Sequence, residues 1–389
     1  MLRKCLIALV ALCTLAWSVA AFAVDPPDDG GVRYIEIPLS GSFGKELLPK
    51  GVEQALDRAV KEKVQYAIFT VKSGGGAVWA AKSMAEAIQK FDGQIYTVAV
   101  IEDALSATLW PTMSCDAIFM TPTARIGAAV AFSKEKSTGA AAVDAKFNSA
   151  FAAQLAAVAE SKKRSPLLVR AMVLPEVQVF ALKQPNGTYK IVDTQPSNLP
   201  PDQVSVLSDR EGILTMTGVE AAKYGFAYPI KKADIDTLRA ELRVDQWTSA
   251  GTYGKDLQKE NVRRAEALMD KARKVDADVE KSFKTYKESR PETLQYDYYR
   301  ETGKFTPGSQ KQWTEATDRA TAALGKFKTD LNQWLTLKKQ AAEVGLEPLF
   351  DDGFERKDLV KTTAEIDKIL ADLRRDRGRT TPPPGMDRK

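Results

Sequence analysis

The chain has 389 residues, with 56 lysines and arginines, 51 aspartates and glutamates, no histidine and a formal net charge of +5. The absence of histidine excludes a serine–histidine triad and speaks against the usual zinc and non-haem iron sites, so no metal and no cofactor is expected. Two of the positive charges sit at Arg3 and Lys4 and a net four in 374–389, which leaves −1 for everything between and no electrostatic case for nucleic acid.

Residues 1–23 read MLRKCLIALVALCTLAWSVAAFA: a basic start, an apolar stretch over 5–20, and Ala21-Phe22-Ala23 in the small-residue pattern of a cleavage site. This is the pattern of a secretory signal peptide cut before Val24, and it predicts a periplasmic or secreted product. A retained N-terminal anchor is the alternative. Cleavage removes Cys5 and Cys13 and leaves Cys115, read as a small buried hydrophobe, without a disulfide partner. No later run of 18 apolar residues predicts a membrane span, while peripheral contact with a membrane or a membrane protein stays open.

From 33 to 230 strands and helices alternate. RYIEIPL (33–39), YAIFTVK (66–72), QIYTVAVI (94–101) and AIFMT (117–121) read as strands, with RIGAAVAF (125–132) as a further short strand or loop. Val52, Leu56, Ala59 and Val60 have helical spacing within 46–63, a second helix follows the turn SGGG (73–76) through Phe91, and an Ala-rich helix covers about 141–163. Such alternation implies a mainly parallel sheet flanked by helices. A β-hairpin with an Asn186-Gly187 turn is predicted over 176–193, and Thr217 caps a helix before the segment closes near 230.

Beyond 231 the pattern is helical. Apolar residues recur by threes and fours over 261–286, again over 312–344, and in a third stretch at about 356–375, around a linker near 288–310. An antiparallel helical hairpin or bundle over 231–373, coiled-coil-like in its spacing, is expected, with a role as an oligomerisation or partner arm. The basic, Pro-rich tail 374–389 is expected to be disordered.

Three pieces could build a reaction centre. Gly74-Gly75-Gly76 ends the second strand, where glycines let backbone N–H groups approach an oxyanion. Ser106 stands at the end of the third strand, where the N–H of Ala107 would be a second donor, although a serine there is also an ordinary helix cap. A serine nucleophile needs a base, and without histidine the option is a lysine kept neutral by apolar surroundings. Lys146 is the single lysine in the Ala-rich stretch 139–160.

At these residues the chain resembles the soluble protease domain of the NfeD-type, ClpP-class serine proteases, relatives of signal peptide peptidase A within the wider ClpP/crotonase fold. The resemblance spans about 33–230. The family's Thr-Pro-Gly-Gly lies over Ser73-Gly74-Gly75-Gly76, its nucleophile over Ser106, and its Ile-Gly-Ala-Ala within AIFMTPTARIGAA (117–129). Its base lysine lies over Lys146, and its closing Leu-Thr…Glu-Ala…Gly-Leu-Ala over ILTMTGVEAAKYGFA (213–227). It implies an α/β ClpP/crotonase-like ββα spiral domain ahead of the helices, commonly self-assembling into homo-oligomers. The implied activity is a Ser–Lys dyad peptidase acting on proteins or peptides. Ser106 would attack, Lys146 would take and return the proton, and the N–H groups of Gly75 or Gly76 and of Ala107 would hold the oxyanion.

The sequence departs from that pattern at Ser73-Gly74, at Thr108 in place of a glycine, and at Glu102-Asp103 beside the serine. These departures carry the alternative of a catalytically degenerate member that binds peptides or assembles through its cleft and helical arm. A crotonase-like acyl-CoA enzyme would use the oxyanion N–H groups without Ser106, but export separates it from cytoplasmic CoA substrates.

Overall fold

The computed structural model describes residues 31–129, 141–209, 211–346 and 356–383. The signal-peptide reading over 1–23 and the end of the tail lie outside them. The first strand, β1 (Val32–Ser40), is followed by α1 (Pro49–Lys61), β2 (Tyr66–Ser73), α2 (Val78–Gln89), β3 (Tyr96–Leu105), α3 (Leu109–Ser114) and β4 (Ala117–Gly127). Residues 117–127, expected as a strand over 117–121 and a further short strand or loop from 125, form one strand, with a register shift opposite the Ile101/Asp103 step of β3. Strands β1 to β4 pair in parallel, and β2 shows the continuous apolar run of a strand covered on both faces. Pro49 starts α1, where its missing N–H costs nothing, and Val52, Ala55, Leu56 and Ala59 turn inward.

The chain continues through α4 (Ala141–Ser161) and α5 (Pro166–Ala171) to a small antiparallel sheet of β5 (Val179–Lys183), β6 (Tyr189–Val192) and β7 (Val204–Ser208). The predicted hairpin is β5–β6, and β7 adds a strand on its other side. Then β8 (Thr215–Thr217) joins β4 antiparallel and α6 (Gly218–Lys223) begins with Thr217 in a capping box with Glu220. Next come β9 (Tyr228–Pro229), α7 (Ile235–Glu241) and β10 (Trp247–Ser249). The main sheet runs β10-β1-β2-β3-β4-β8, with β9 also on β4. One face carries the large core under α1 to α4; the other is closed by Ile230 and Leu238 against Ile68, Val98, Val100 and Phe119. Because β10 pairs with β1, the sheet reaches to Ser249, past the expected boundary at 230. Three short residues of strand, without a periodic signal, hide that return from the sequence.

The helical region is a bundle of α8 (Tyr253–Ser289), α9 (Pro307–Glu343) and α10 (Arg356–Asp376) around its own core of Ala320, Leu324, Leu331, Trp334, Ile366 and Leu370. It is seated on the sheet domain: Leu48 and Trp79 join its core, and Asn261 Nδ2 donates to Gln54 Oε1 at 2.9 Å. The tail departs from the expected disorder over its described part. α10 continues to Asp376, Arg377 makes a bidentate pair with Asp318 at 2.6 and 2.9 Å, and the Thr380 carbonyl accepts from the Phe305 N–H. Among the described residues no helix is long and apolar enough to cross a membrane.

Candidate active site

β3 ends at Leu105, and the chain turns at once into a short 3-10 turn, Ser106–Thr108, that leads into α3. The turn is sharp because Ser106 adopts φ +55°, in the left-handed region that side chains avoid. Such a conformation costs on the order of 1–2 kcal/mol and persists only where neighbours hold it. It lifts the half-buried Ser106 side chain off the sheet, and Ser106 Oγ has no hydrogen-bond partner among the described residues. Ser106→Gly is expected to be more stable than Ser106→Ala by about 1 kcal/mol, since only glycine relaxes this φ. Urea denaturation of the two variants checks this; equal stabilities would mean the turn is unstrained.

Opposite the serine lies the turn after β2. Gly75 (φ +105°) approaches so closely that a Cβ there would stand 2.6 Å from Ser106 Cβ, 3.0 Å from its Oγ and 3.2 Å from Ala107 N. Gly76 (φ +142°) packs against the Phe43 backbone, where a Cβ would come within 2.4 Å of Phe43 N. The Phe43 N–H donates to the Gly75 carbonyl and the Ala77 N–H to the Phe43 carbonyl, a one-residue parallel bridge. By strand alternation the Gly76 N–H then faces away from Phe43. It has no backbone acceptor among the described residues, and the Ala107 N–H, at the start of a helix, needs none from its own turn. The Gly75 N–H is already engaged, donating to Ser73 Oγ at 3.1 Å. Of the three predicted donors, Gly76 and Ala107 therefore have N–H groups with no acceptor among the described residues, and Gly75 supplies the close approach.

Two residues that depart from the family pattern brace this turn. Ser73 is buried, and its hydroxyl donates to the Gly41 carbonyl at 2.6 Å while it accepts from Gly75. Thr108 is fully buried, and its hydroxyl donates to the Ser73 carbonyl at 3.3 Å, tying the glycine turn to the serine turn. Neither was legible as a site residue, because a hydroxyl that bonds across 35 positions leaves no local signal. Glu102 and Asp103 are ion-paired with Lys72 (2.9 Å) and Arg125 (2.8 Å) on the neighbouring strands.

The base is placed differently from the expectation. α4 buries Phe151, Ala152, Leu155, Ala156 and Ala159, and at 100° per residue Lys146 falls on the opposite face and is exposed. No hydrogen bond or ion pair among the described residues joins it to Ser106. The apolar neighbours in the sequence are real, but they point the other way. Asn148 takes the inward face instead, and its Oδ1 is buried without a hydrogen bond. α4 nevertheless runs alongside the serine helix. Past its C-terminal end the buried Arg164 donates to the carbonyls of Met113 and Cys115, at the end of α3. Burial pulls that guanidinium below its ordinary pKa, and the same burial pushes the Cys115 thiol up to about 12, so Cys115 is an inert core residue. Lys162 is nearly buried between Asp92 (2.8 Å) and Asp116 (2.6 Å); burial works against its charge, and the two carboxylates outweigh it and raise its pKa. Midway, Phe151 meets Trp110 edge-on at 5.5 Å. With the C-terminal ends of both helices together, the first turns of α4 lie at the Ser106 end of α3. Residues 130–140, which lead into them, lie outside the described residues.

Among the described residues no cluster of metal-ligating side chains is present. No curated protein matches the chain. Among solved structures, a mutant of the 1510-N membrane-bound stomatin-specific protease is 16% identical, covering 54% of this chain and 84% of its own at a TM-score of 0.38. A second mutant of that protease, in complex with a substrate peptide, is 14% identical (57% and 92% covered, TM-score 0.40). The 1510-N protease specific for a stomatin homolog from Pyrococcus horikoshii is 13% identical (59% and 98% covered, TM-score 0.36). The family description NfeD1b, N-terminal domain, matches residues 34–228, half of the chain and most of the sheet domain that presents Ser106. The chain belongs to the NfeD1b N-terminal domain family.

Proposed function

We propose that this protein is an exported serine peptidase in which Ser106 attacks the carbonyl carbon of a peptide bond in a protein or peptide. The observation that carries the reading is the strained Ser106 turn set against Gly75, with the Gly76 and Ala107 N–H groups unclaimed beside it. As the serine oxygen bonds to the carbonyl carbon, negative charge moves onto the carbonyl oxygen, and two preorganised N–H donors stabilise it by about 3 kcal/mol each. Lys146 takes the serine proton and passes it to the leaving amine; water then releases the acyl group by the same route in reverse. For this the first turns of α4 must bring Lys146 inward over Ser106, where the bound polypeptide excludes water from the pair.

The exposure of Lys146 favours a second reading, a non-catalytic member that holds a polypeptide in the same cleft. One experiment separates the two: incubation of the intact protein, Ser106→Ala and Lys146→Ala with an unfolded protein and a mixed peptide library, read by mass spectrometry. The peptidase reading expects cleavage by the parent and at least a thousand-fold loss in both variants. No cleavage by a folded parent establishes the second reading; cleavage that survives Lys146→Ala but not Ser106→Ala keeps the nucleophile and removes the base.

A further inference from the structure

β10 pairs with only the first three residues of β1, Val32, Arg33 and Tyr34. The second half of β1 therefore has an edge without a strand partner, and α8 stands beside it. The Tyr34 carbonyl bonds to the Ala250 N–H on that side, so by the two-residue period the main-chain groups of Glu36, Pro38 and Ser40 face the same way. Gly254 seals the edge at Glu36, where its Cβ would stand 2.2 Å from the carbonyl oxygen. Beyond that seal a groove of about 420 Å³ opens between β1 and α8, with Pro38, Ser40, Leu47, Lys255, Lys259 and Arg263 along it. The groove ends where Ser40 passes into Gly41, whose carbonyl is bonded to Ser73 beneath the Gly75–Gly76 turn.

The cations along this groove stand outside the opposite-charge pairing seen at many i,i+4 positions, on α8 and elsewhere. Asp57–Lys61, Arg58–Glu62, Glu260–Arg264, Lys284–Glu288 and Lys326–Asp330 are opposite charges at i,i+4. Lys255, Lys259 and Arg263 are like charges at the same spacing, which disfavours the helix. All three are exposed, and none makes an ion pair among the described residues. Two acids, Glu46 and Glu266, also line the groove, so its three cations leave it with a net positive charge; Glu46 accepts the Ser42 N–H at 2.8 Å.

We infer that this groove binds an extended acidic segment of a polypeptide, with its backbone along the free Ser40 edge, apolar side chains on the half-buried Pro38 and Val262, and carboxylates on the α8 ridge. If Ser106 cleaves polypeptides, this segment belongs to the substrate, and the helical domain sets part of the specificity. In that sense the inference rests on the proposed function, but the binding itself does not need hydrolysis.

The test uses Ser106→Ala protein, so that binding is read without turnover, and fluorescence anisotropy of labelled peptides. The probes are a peptide alternating Glu with Val, its Lys-for-Glu counterpart, and a single-stranded oligonucleotide. The acidic peptide is expected to bind at least ten-fold more tightly than the basic one, and less tightly as salt is added. Reversal of the ridge (Lys255→Glu, Lys259→Glu, Arg263→Glu) is expected to lower acidic-peptide affinity at least ten-fold. Reversal of three exposed lysines further along α8 (Lys271→Glu, Lys274→Glu, Lys281→Glu) makes the same change in net charge and is expected to leave it within two-fold. No preference for the acidic peptide, an equal loss in the second reversal, or tighter binding of the oligonucleotide overturns the inference. Failure of the cleavage experiment above leaves this result standing, and failure here leaves Ser106 as it was.

Discussion

Gly75→Ala is expected to lower peptide hydrolysis by at least a hundred-fold and to destabilise the protein by about 2–4 kcal/mol. Both effects come from one added carbon. At φ +105° a side chain is strained before any contact is counted. The new Cβ would then lie 2.6 Å from Ser106 Cβ and 3.0 Å from its Oγ, distances at which one element must move. Ser106 cannot yield easily, because its φ of +55° is already held against its own preference. Nor can the glycine turn, which is fastened by Ser73 to Gly41 and by Thr108 to Ser73. A displacement of about 1 Å between nucleophile and oxyanion donors is enough to lose two orders of magnitude in rate. Gly74→Ala is the control: a Cβ there meets nothing within 4 Å, and its stability and rate are expected to stay near the parent's. Hydrolysis by Gly75→Ala at the parental rate would show that the reaction does not occur between these two turns.

The sequence carried more of the fold than of the site's wiring, for physical reasons that differ by element. β1 to β4 and α1 were legible because buried parallel strands and an amphipathic helix write their environment into short-range periodicity. The turns at Gly74–Gly76 and at Ser106 were legible as turns, since small residues at a strand end mark a sharp change of direction. β10 was not, since three residues that complete a sheet edge have no period to read. Lys146 shows the limit from the other side: its neighbours are apolar in sequence, but helix geometry turns Phe151 and Leu155 inward and the lysine outward. Composition around a residue states what the helix buries, and only the rotation about the axis states whether the residue shares that burial. The hydroxyls of Ser73 and Thr108 bond across the fold, so what reads as a departure from a family pattern acts in three dimensions as a brace.

Gly254→Val is expected to separate the two halves of the molecule energetically, at a cost of about 3 kcal/mol or more. α8 touches the sheet domain backbone to backbone. At Gly254 a Cβ would stand 2.2 Å from the Glu36 carbonyl oxygen and 3.1 Å from Ile37 Cγ1. One turn further, Gln258 Cα lies 3.0 Å from where a Cβ of Gly51 in α1 would be. Neither neighbour is the end of a flexible side chain, so an isopropyl group at 254 must lift the helix off β1. The bundle keeps its own core of Ala320, Leu324, Leu331 and Trp334, and the sheet keeps its own, so the damage falls on the seam between them. Differential scanning calorimetry is expected to show the helical region melting ahead of the sheet domain. The same lift carries Lys255, Lys259 and Arg263 away from Pro38 and Ser40 with their charges unchanged. Acidic-peptide binding should therefore fall at least ten-fold, while hydrolysis of a short substrate that occupies only the Ser106 turn stays within a few-fold of the parent. A parental melting profile would mean that α8 is not seated on Glu36. A shifted profile with acidic-peptide binding intact would mean that the ridge works from α8 alone, without the strand edge beside it.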